Sequence, residues 1–195
     1  MDIKIYKQRL LDKLYAPYIK CIECPLGFQG RKNVVFGDGN PDAKIMFVGE
    51  GPGQQEDIQG KPFVGRAGKL LNKVFELVGL QRSDVFISNI VKCRPPNNRK
   101  PLEIEAFTCT NLLLFNQIKI IRPKVICALG ASALQGLLNN YDAKISKVRG
   151  KPIVADNLPN YIIMPTYHPA YILRNPAELQ TLFQDIKKAH EIASQ

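Results

Sequence analysis

The sequence predicts an α/β fold: a three-layer α/β/α sandwich around a central, mainly parallel, four-stranded sheet. Three observations carry this expectation. Apolar runs of strand length recur at Lys44-Ile-Met-Phe-Val-Gly, Asp84-Val-Phe-Ile-Ser-Asn-Ile-Val, Lys124-Val-Ile-Cys-Ala-Leu-Gly and Tyr161-Ile-Ile-Met-Pro. Segments with helical spacing of apolar residues lie between them. Glycine and proline clusters mark the joins. Alternation of this kind produces parallel β–α–β units with helices on both faces. A length of 195 residues suits one domain, read here as 1–195 with an N-terminal helix and a cysteine-pair segment over 1–40.

In chain order, residues 3–19 have helical spacing, with Ile5, Leu10, Leu11, Leu14 and Tyr15 toward one side. That segment breaks at Cys21-Ile-Glu-Cys-Pro, and Gly37-Asp-Gly-Asn-Pro reads as a turn. The first strand runs into glycines and charges. A helix follows from about Arg66 to Val78, ended by Gly79. The second strand leads to a proline-rich loop, Arg94 to Pro101, and then a long helix to about Ile121. The third strand is backed by a helix over Ala131 to Leu138, and Asn175-Pro176 opens a final helix with asparagine as cap. In open parallel sheets, ligands bind at the carboxyl ends of the strands. The segments that matter are therefore 49–65, 89–101, 129–132 and 164–175.

Hydrophobic residues make up 45% of the chain, enough for a core. No run of eighteen apolar residues suggests a membrane span. The N-terminus carries charges where a signal peptide needs an apolar stretch, so a cytoplasmic, nucleoid-associated protein without membrane contact is expected. Lysine and arginine total 27 against 17 acids, a net charge of +10 that suits a polyanionic partner such as nucleic acid. Five cysteines, Cys21, Cys24, Cys93, Cys109 and Cys127, are better read as metal ligands or buried thiols than as disulfides.

The first of these segments opens with Gly49-Glu50-Gly51-Pro52-Gly53, where glycines allow close approach of a ligand to the backbone. It is not a phosphate loop: it lacks the Gly-Lys-Ser/Thr ending and the Gly-x-Gly-x-x-Gly fingerprint, Pro52 removes an amide donor, and Glu50 repels phosphate. Asn89 ends the second strand and offers both a donor and an acceptor, as reading one edge of a nucleobase requires. His168, one of two histidines, follows the fourth strand. Phe63 lies in a loop where it can stack on a base. Cys21-x-x-Cys24 matches a metal knuckle, and Cys93 and Cys109 complete four thiolates that suit zinc or an iron–sulfur cluster. Cys127 sits inside an apolar strand and reads as a buried free thiol.

Together these features resemble the iron–sulfur uracil-DNA glycosylases, the family-4 branch of that superfamily. The matching stretches are Gly49-Glu-Gly-Pro-Gly-Gln-Gln-Glu-Asp57, Gly60-Lys-Pro-Phe-Val-Gly65, Ser88-Asn-Ile-Val-Lys-Cys-Arg-Pro-Pro96 and His168-Pro-Ala-Tyr-Ile-Leu-Arg-Asn-Pro176, with the four cysteines in that branch's order. The resemblance implies an enzyme that flips uracil out of DNA and hydrolyses its N-glycosidic bond, leaving an abasic site. It implies a 4Fe-4S cluster, structural rather than redox-active, on Cys21, Cys24, Cys93 and Cys109. It also implies a uracil pocket from Gly49, Glu50, Gly51, Phe63, Asn89 and His168, with Glu56 excluding thymine's methyl group. Glu50, Asn89 and His168 are the expected catalytic residues.

On this reading uracil stacks on Phe63, Asn89 pairs with O4 and N3–H, and His168 stabilises charge on O2. Tyr171, Ile172 or Leu173 fills the space left by the flipped base. Arg174, Lys92, Arg94, Arg99 and Lys100 are candidates to hold phosphates. Single-turn glycosylases of another branch place an aspartate where this chain has Gly51, so Glu50 is the nearest candidate to orient water. Another branch binds uracil-DNA covalently through a histidine in the loop after the second strand; Arg94 to Pro101 has none, so turnover is expected. The partner is uracil-containing DNA and the protein is expected to be a monomer, with no sliding-clamp contact identified. The alternatives are an iron–sulfur DNA-binding module without turnover, which the presence of Glu50, Asn89 and His168 disfavours, and a nucleotide-binding protein, which the missing Walker lysine disfavours.

Overall fold

The computed structural model describes residues 2–195. Helix α1 (Ile3–Tyr15) is capped by the Asp2 side chain and ends one residue before Ala16-Pro17-Tyr18, a short 3₁₀ turn. Proline cannot continue the hydrogen-bond ladder, so the helix expected to reach residue 19 stops earlier. Then come β1 (Asp38–Gly39), β2 (Ile45–Gly49), α2 (Gln54–Gln59), α3 (Arg66–Leu77) and β3 (Phe86–Asn89). Helix α4 (Glu103–Cys109) passes through a π-helical segment, Thr110–Leu114, into α5 (Phe115–Ile121). The remaining elements are β4 (Val125–Leu129), α6 (Ala131–Leu138), α7 (Ile145–Val148), β5 (Ile153–Ala155), β6 (Leu158–Thr166), α8 (Pro169–Arg174) and α9 (Leu179–Ser194).

The strands form one sheet in the order β1-β3-β2-β4-β6-β5. The four central strands, β3, β2, β4 and β6, are parallel and are the four expected from sequence. The sheet nevertheless has six strands rather than four, because β1 and β5 add to its edges antiparallel. Both are too short to carry a periodic signal: β1 is two residues inside what reads as a turn cluster.

Side chains alternate across the sheet, as a two-residue period demands. Met46, Val48, Ile126, Ala128 and Ile163 pack on one face with α1, α5 and α6. Ile45, Phe47, Val125, Cys127 and Met164 pack on the other with α3 and α9. Both faces are covered, which is why the central strands read as continuous apolar runs. Cys127 is fully buried, as expected of a core thiol. No helix among the described residues is long and apolar enough to cross a membrane.

Candidate active site

The carboxyl ends of β2, β3, β4 and β6 lie along one edge of the sheet, with Gly49 opposite Asn89 and Leu129 opposite Thr166. The segments leaving these ends surround a cleft of about 230 Å³, lined by Glu50, Gly51, Glu56, Phe63, Asn89 and His168 among others. The cleft thus brings together six of the seven pocket residues expected from sequence. The seventh, Gly49, underlies it: a Cβ at Gly49 would lie 2.5 Å from Asn89 Oδ1 and 2.6 Å from the Phe63 ring, so only glycine fits.

Phe63 adopts a left-handed backbone, φ 51°, which a bulky residue takes only when its surroundings over-determine it. Three contacts do so. Arg82 donates to the carbonyls of Pro62 (2.5 Å) and Phe63 (3.1 Å). Glu56 Oε1 accepts from the amides of Val64 (2.9 Å) and Gly65 (2.8 Å), the latter capping α3. A Cβ at Gly68 would clash with the Phe63 carbonyl, so that glycine gives the loop its seat on α3. The Phe63 ring then lies 5.5 Å from the His168 ring, centroid to centroid.

Asn89 is buried, and its Oδ1 is the one fully buried side-chain polar atom without a hydrogen-bond partner among the described residues. An unpaired buried acceptor costs about 1–3 kcal/mol, a cost that a ligand N–H removes. His168 caps α8: its Nδ1 accepts from the Ala170 amide at 3.0 Å. That bond assigns the proton of the neutral ring to Nε2 and makes Nε2 a donor. Burial, then the Arg174 charge, lowers His168 to about 4, with Glu56 opposing, so the ring is neutral at physiological pH. A Cβ at Gly130, at the end of β4, would lie 3.0 Å from His168 Cβ, and Gly130 also has φ 89°; it is glycine for both reasons.

The Glu50 carboxylate accepts a 2.5 Å hydrogen bond from Ser132 Oγ at the start of α6. At Gly51 an added Cβ would meet Val91 Cγ2 at 2.8 Å, so an acid there would require Val91 to move.

Several expectations for the surrounding groups are corrected. Lys92 cannot hold phosphate: it is fully buried, and its Nζ donates to Ser88 Oγ, to the Asn89 carbonyl (2.8 Å) and to Gln117 Oε1 (2.8 Å). Arg99 is committed to the buried Glu105 carboxylate, with contacts of 2.7 and 2.8 Å. Burial would raise Glu105, but those Arg99 bonds and the Leu102 amide hold it below the usual carboxylate range. Lys100, by contrast, is exposed, with its Nζ 2.9 Å from Gln135 Oε1, and stays a phosphate candidate. Ile172 is a core residue, 2% exposed, and cannot act as a wedge; Leu173 is 39% exposed, and Tyr171 packs on Tyr167.

Cys21, Cys24, Cys93 and Cys109 line one small cavity, and all four are free thiols. Among the described residues, no group of three or more His, Cys, Asp or Glu side chains is arranged to hold a metal ion. Four thiols as a set suit zinc or an iron–sulfur cluster. The Gly27 amide donates to the Cys24 carbonyl at 2.9 Å, which closes the turn after the cysteine pair. Burial pushes the Cys93 thiol up to about 12 and Cys109 to about 11.

Sequence reasoning missed Ser132, Arg82 and Gly130, whose partners lie far away in the chain. It also missed Asp57, a buried carboxylate that accepts from the amides of Lys32 and Asn33 and ties the cysteine-pair segment to α2. The Gly-Gln-Gln-Glu-Asp stretch that contains it is part of a matched motif, so motif membership was the available signal.

Comparison with known proteins shows the family. Residues 36–190 match the family model of the uracil DNA glycosylase superfamily. The chain is 49% identical over 185 residues to a type-4 uracil-DNA glycosylase of Thermotoga maritima, covering 94% of each protein. It is 47% identical to those of Saccharolobus solfataricus and Sulfurisphaera tokodaii, covering 94% of this chain and 87% and 84% of theirs.

Proposed function

The chain belongs to the uracil DNA glycosylase superfamily and to its type-4 branch, and from that premise we propose how it removes uracil from DNA. It is a uracil-DNA glycosylase, a DNA-repair hydrolase that cuts the N-glycosidic bond and leaves an abasic site. The observation that carries the reading is the unpaired Asn89 Oδ1 at the floor of a cleft walled by Phe63 and His168.

Uracil stacked in DNA is out of reach and must be extruded, at a cost of a few kcal/mol. The flipped base stacks on Phe63. Asn89 Oδ1 accepts from N3–H, and its amide donates to O4. Cytosine reverses both roles and leaves buried groups mispaired, a strong basis for discrimination. Glu56 is pinned by two amides and cannot swing away, which suits it to exclude thymine's methyl group. Bond cleavage leaves negative charge on the base, and neutral His168 donates from Nε2 to O2. A preorganised donor of this kind contributes about 3–4 kcal/mol. Glu50, oriented by Ser132, orients the attacking water or balances the cationic sugar. Leu173 is the exposed apolar residue of α8 that suits the vacated space, and Arg94, Lys100 and Arg174 remain the candidates for phosphates.

We assign a 4Fe-4S cluster to Cys21, Cys24, Cys93 and Cys109, because the four thiols line one small cavity in a chain of the type-4 branch. When bound, such a cluster supplies iron–thiolate bonds that cross-link the N-terminal segment to the loop after β3 and to the end of α4.

Substitution of Asn89 tests the base-reading claim. Asn89→Ala should lower single-turnover uracil release at least ~100-fold. Asn89→Asp, whose protonated carboxyl presents donor and acceptor in either order, should narrow the uracil-to-cytosine ratio. An unchanged rate and ratio in both variants would remove Asn89 from base recognition.

A further inference from the structure

Helix α9 buries Leu182, Asp185, Ile186, Ala189 and Ala193, and Asp185 is the one polar side chain in that stripe. An apolar residue would cover the sheet without taking a carboxylate out of water, so the partners of Asp185 have to account for it. Thr166 Oγ1, fully buried at the end of β6, donates to Asp185 Oδ2 at 2.8 Å. Arg149 Nη1 donates to the same carboxylate, 3.1 Å from Oδ1 and 3.2 Å from Oδ2.

The turn that carries Arg149 is fastened to the same two elements. The Gly150 amide donates to the Pro165 carbonyl of β6 at 2.8 Å, and Lys188 of α9 donates to the Gly150 carbonyl at 3.0 Å. Gly150 has φ 70°, and a Cβ there would lie 2.6 Å from Asp185 Oδ1, so glycine is what admits the carboxylate. The Arg149 guanidinium also sits over the Tyr167 ring, 5.5 Å from its centroid, and Tyr167 packs on Tyr171 of α8 at 4.8 Å.

These contacts converge on the stretch that presents His168. Thr166 lies two residues before it, and Tyr167 is its neighbour. Asp185 holds the Thr166 side chain, while the Thr166 carbonyl accepts from the Gly130 amide at 2.8 Å. Gly130 in turn backs the His168 Cβ. None of Thr166, Asp185 and Arg149 is among the residues that line the cleft. A buried ion pair is often no more stabilising than apolar side chains of similar volume, but its bonds are directional.

We propose that Asp185 is a positioning residue for uracil release: paired with Arg149, it grips Thr166 and so fixes where His168 Nε2 points. This rests on the reading above that His168 donates to uracil O2. A displacement of about 1 Å in a group that acts on the reacting atoms can cost about a hundredfold in rate. The loss falls on the chemical step rather than on DNA binding, because O2 gains its charge only as the bond breaks.

The test is a double-mutant cycle in the full chain between Thr166→Val and His168→Ala. It is read by the single-turnover rate at saturating enzyme, the Kd for uracil-DNA and the melting temperature. Thr166→Val keeps the side-chain volume without the hydroxyl, and should lower the rate about tenfold with Kd within about twofold of wild type. Thr166→Ser, which keeps the hydroxyl, should return the rate to within about threefold of wild type. Asp185→Asn, whose amide cannot accept from both donors, should show the same split between rate and Kd as Thr166→Val. In the His168→Ala background either substitution should cost no further rate, because the group it positions is gone. A further loss of about tenfold in that background overturns the proposal, since the trio would then act independently of His168. Lowered melting temperatures with wild-type rates in Thr166→Val and Asp185→Asn overturn it as well, since the trio would serve packing alone. Should one of these two variants not fold, the other decides. A wild-type rate in His168→Ala itself would instead defeat the reading on which the proposal rests.

Discussion

His168 is held neutral by burial and by Arg174, and its folded value of about 4 lies below the ordinary 6.5. Above pH 6.5 the ring is neutral in both folded and unfolded chains. As pH falls from 6.5 toward 4, the unfolded chain takes up a proton that the folded protein refuses, so stability is lost across that window. The Nε2 donor, however, stays unchanged down to nearly 4. Single-turnover uracil release should therefore be flat between pH 8 and about 5, measured by rapid quench. An inflection near 6.5 that vanishes in His168→Gln would mean the ring titrates normally and that its tautomer has been misassigned. Gly51 is explained at the same scale. Val91 occupies the space that a side chain there would need, which leaves Glu50, one residue earlier, as the carboxylate proposed to orient water.

Among the elements, the four central strands and most of the longer helices are legible because each has a continuous apolar run or a clear apolar stripe. The short elements are not. Helix α2 is six polar-rich residues, and α8 is six residues inside a motif expected to be loop. Their apolar content is too small to give a period. The π segment after Cys109 is also silent in sequence, because its residues would suit an ordinary helix. For the site, residue types at strand ends were legible because parallel sheets gather those ends. Their supports were not, since they pair across long separations: Arg82 acts on Phe63 from 19 residues away, and Ser132 on Glu50 from 82. The misjudged Lys92 shows the same limit, since a lysine beside a basic loop looks solvated until its three buried acceptors are seen. The loop that carries Phe63 provides a prediction at this scale. Arg82→Met removes both carbonyl contacts and should let the strained φ relax, raising KM for uracil-DNA about tenfold with a smaller change in kcat. Unchanged kinetics would show that Glu56 alone sets the loop.

Across the whole molecule, one end of the sheet carries the cleft, and the four-cysteine cavity joins segments that are far apart in sequence. The N-terminal segment is also tied in by Leu11 and Leu26 in the core and by polar contacts of Asp57 with Lys32 and Asn33, and of Lys7 with Asp42 and the Ile121 carbonyl. On the proposed cluster assignment, losing one cysteine ligand should cost the chain several kcal/mol of stability as well as its iron. Cys21→Ser is expected to lose the visible absorption and to melt roughly 10 °C lower, as a loss of several kcal/mol implies for this size. A colourless variant with the wild-type melting point would deny the cluster its scaffolding role. The net charge of +10 suits a DNA surface around the cleft. The most direct measurement of the whole account is excision from matched oligonucleotides carrying a single uracil, thymine or cytosine, each followed by alkali. Strand breakage at uracil alone is the expected result. No breakage at uracil by folded, iron-loaded protein, or equal breakage at thymine, would contradict it.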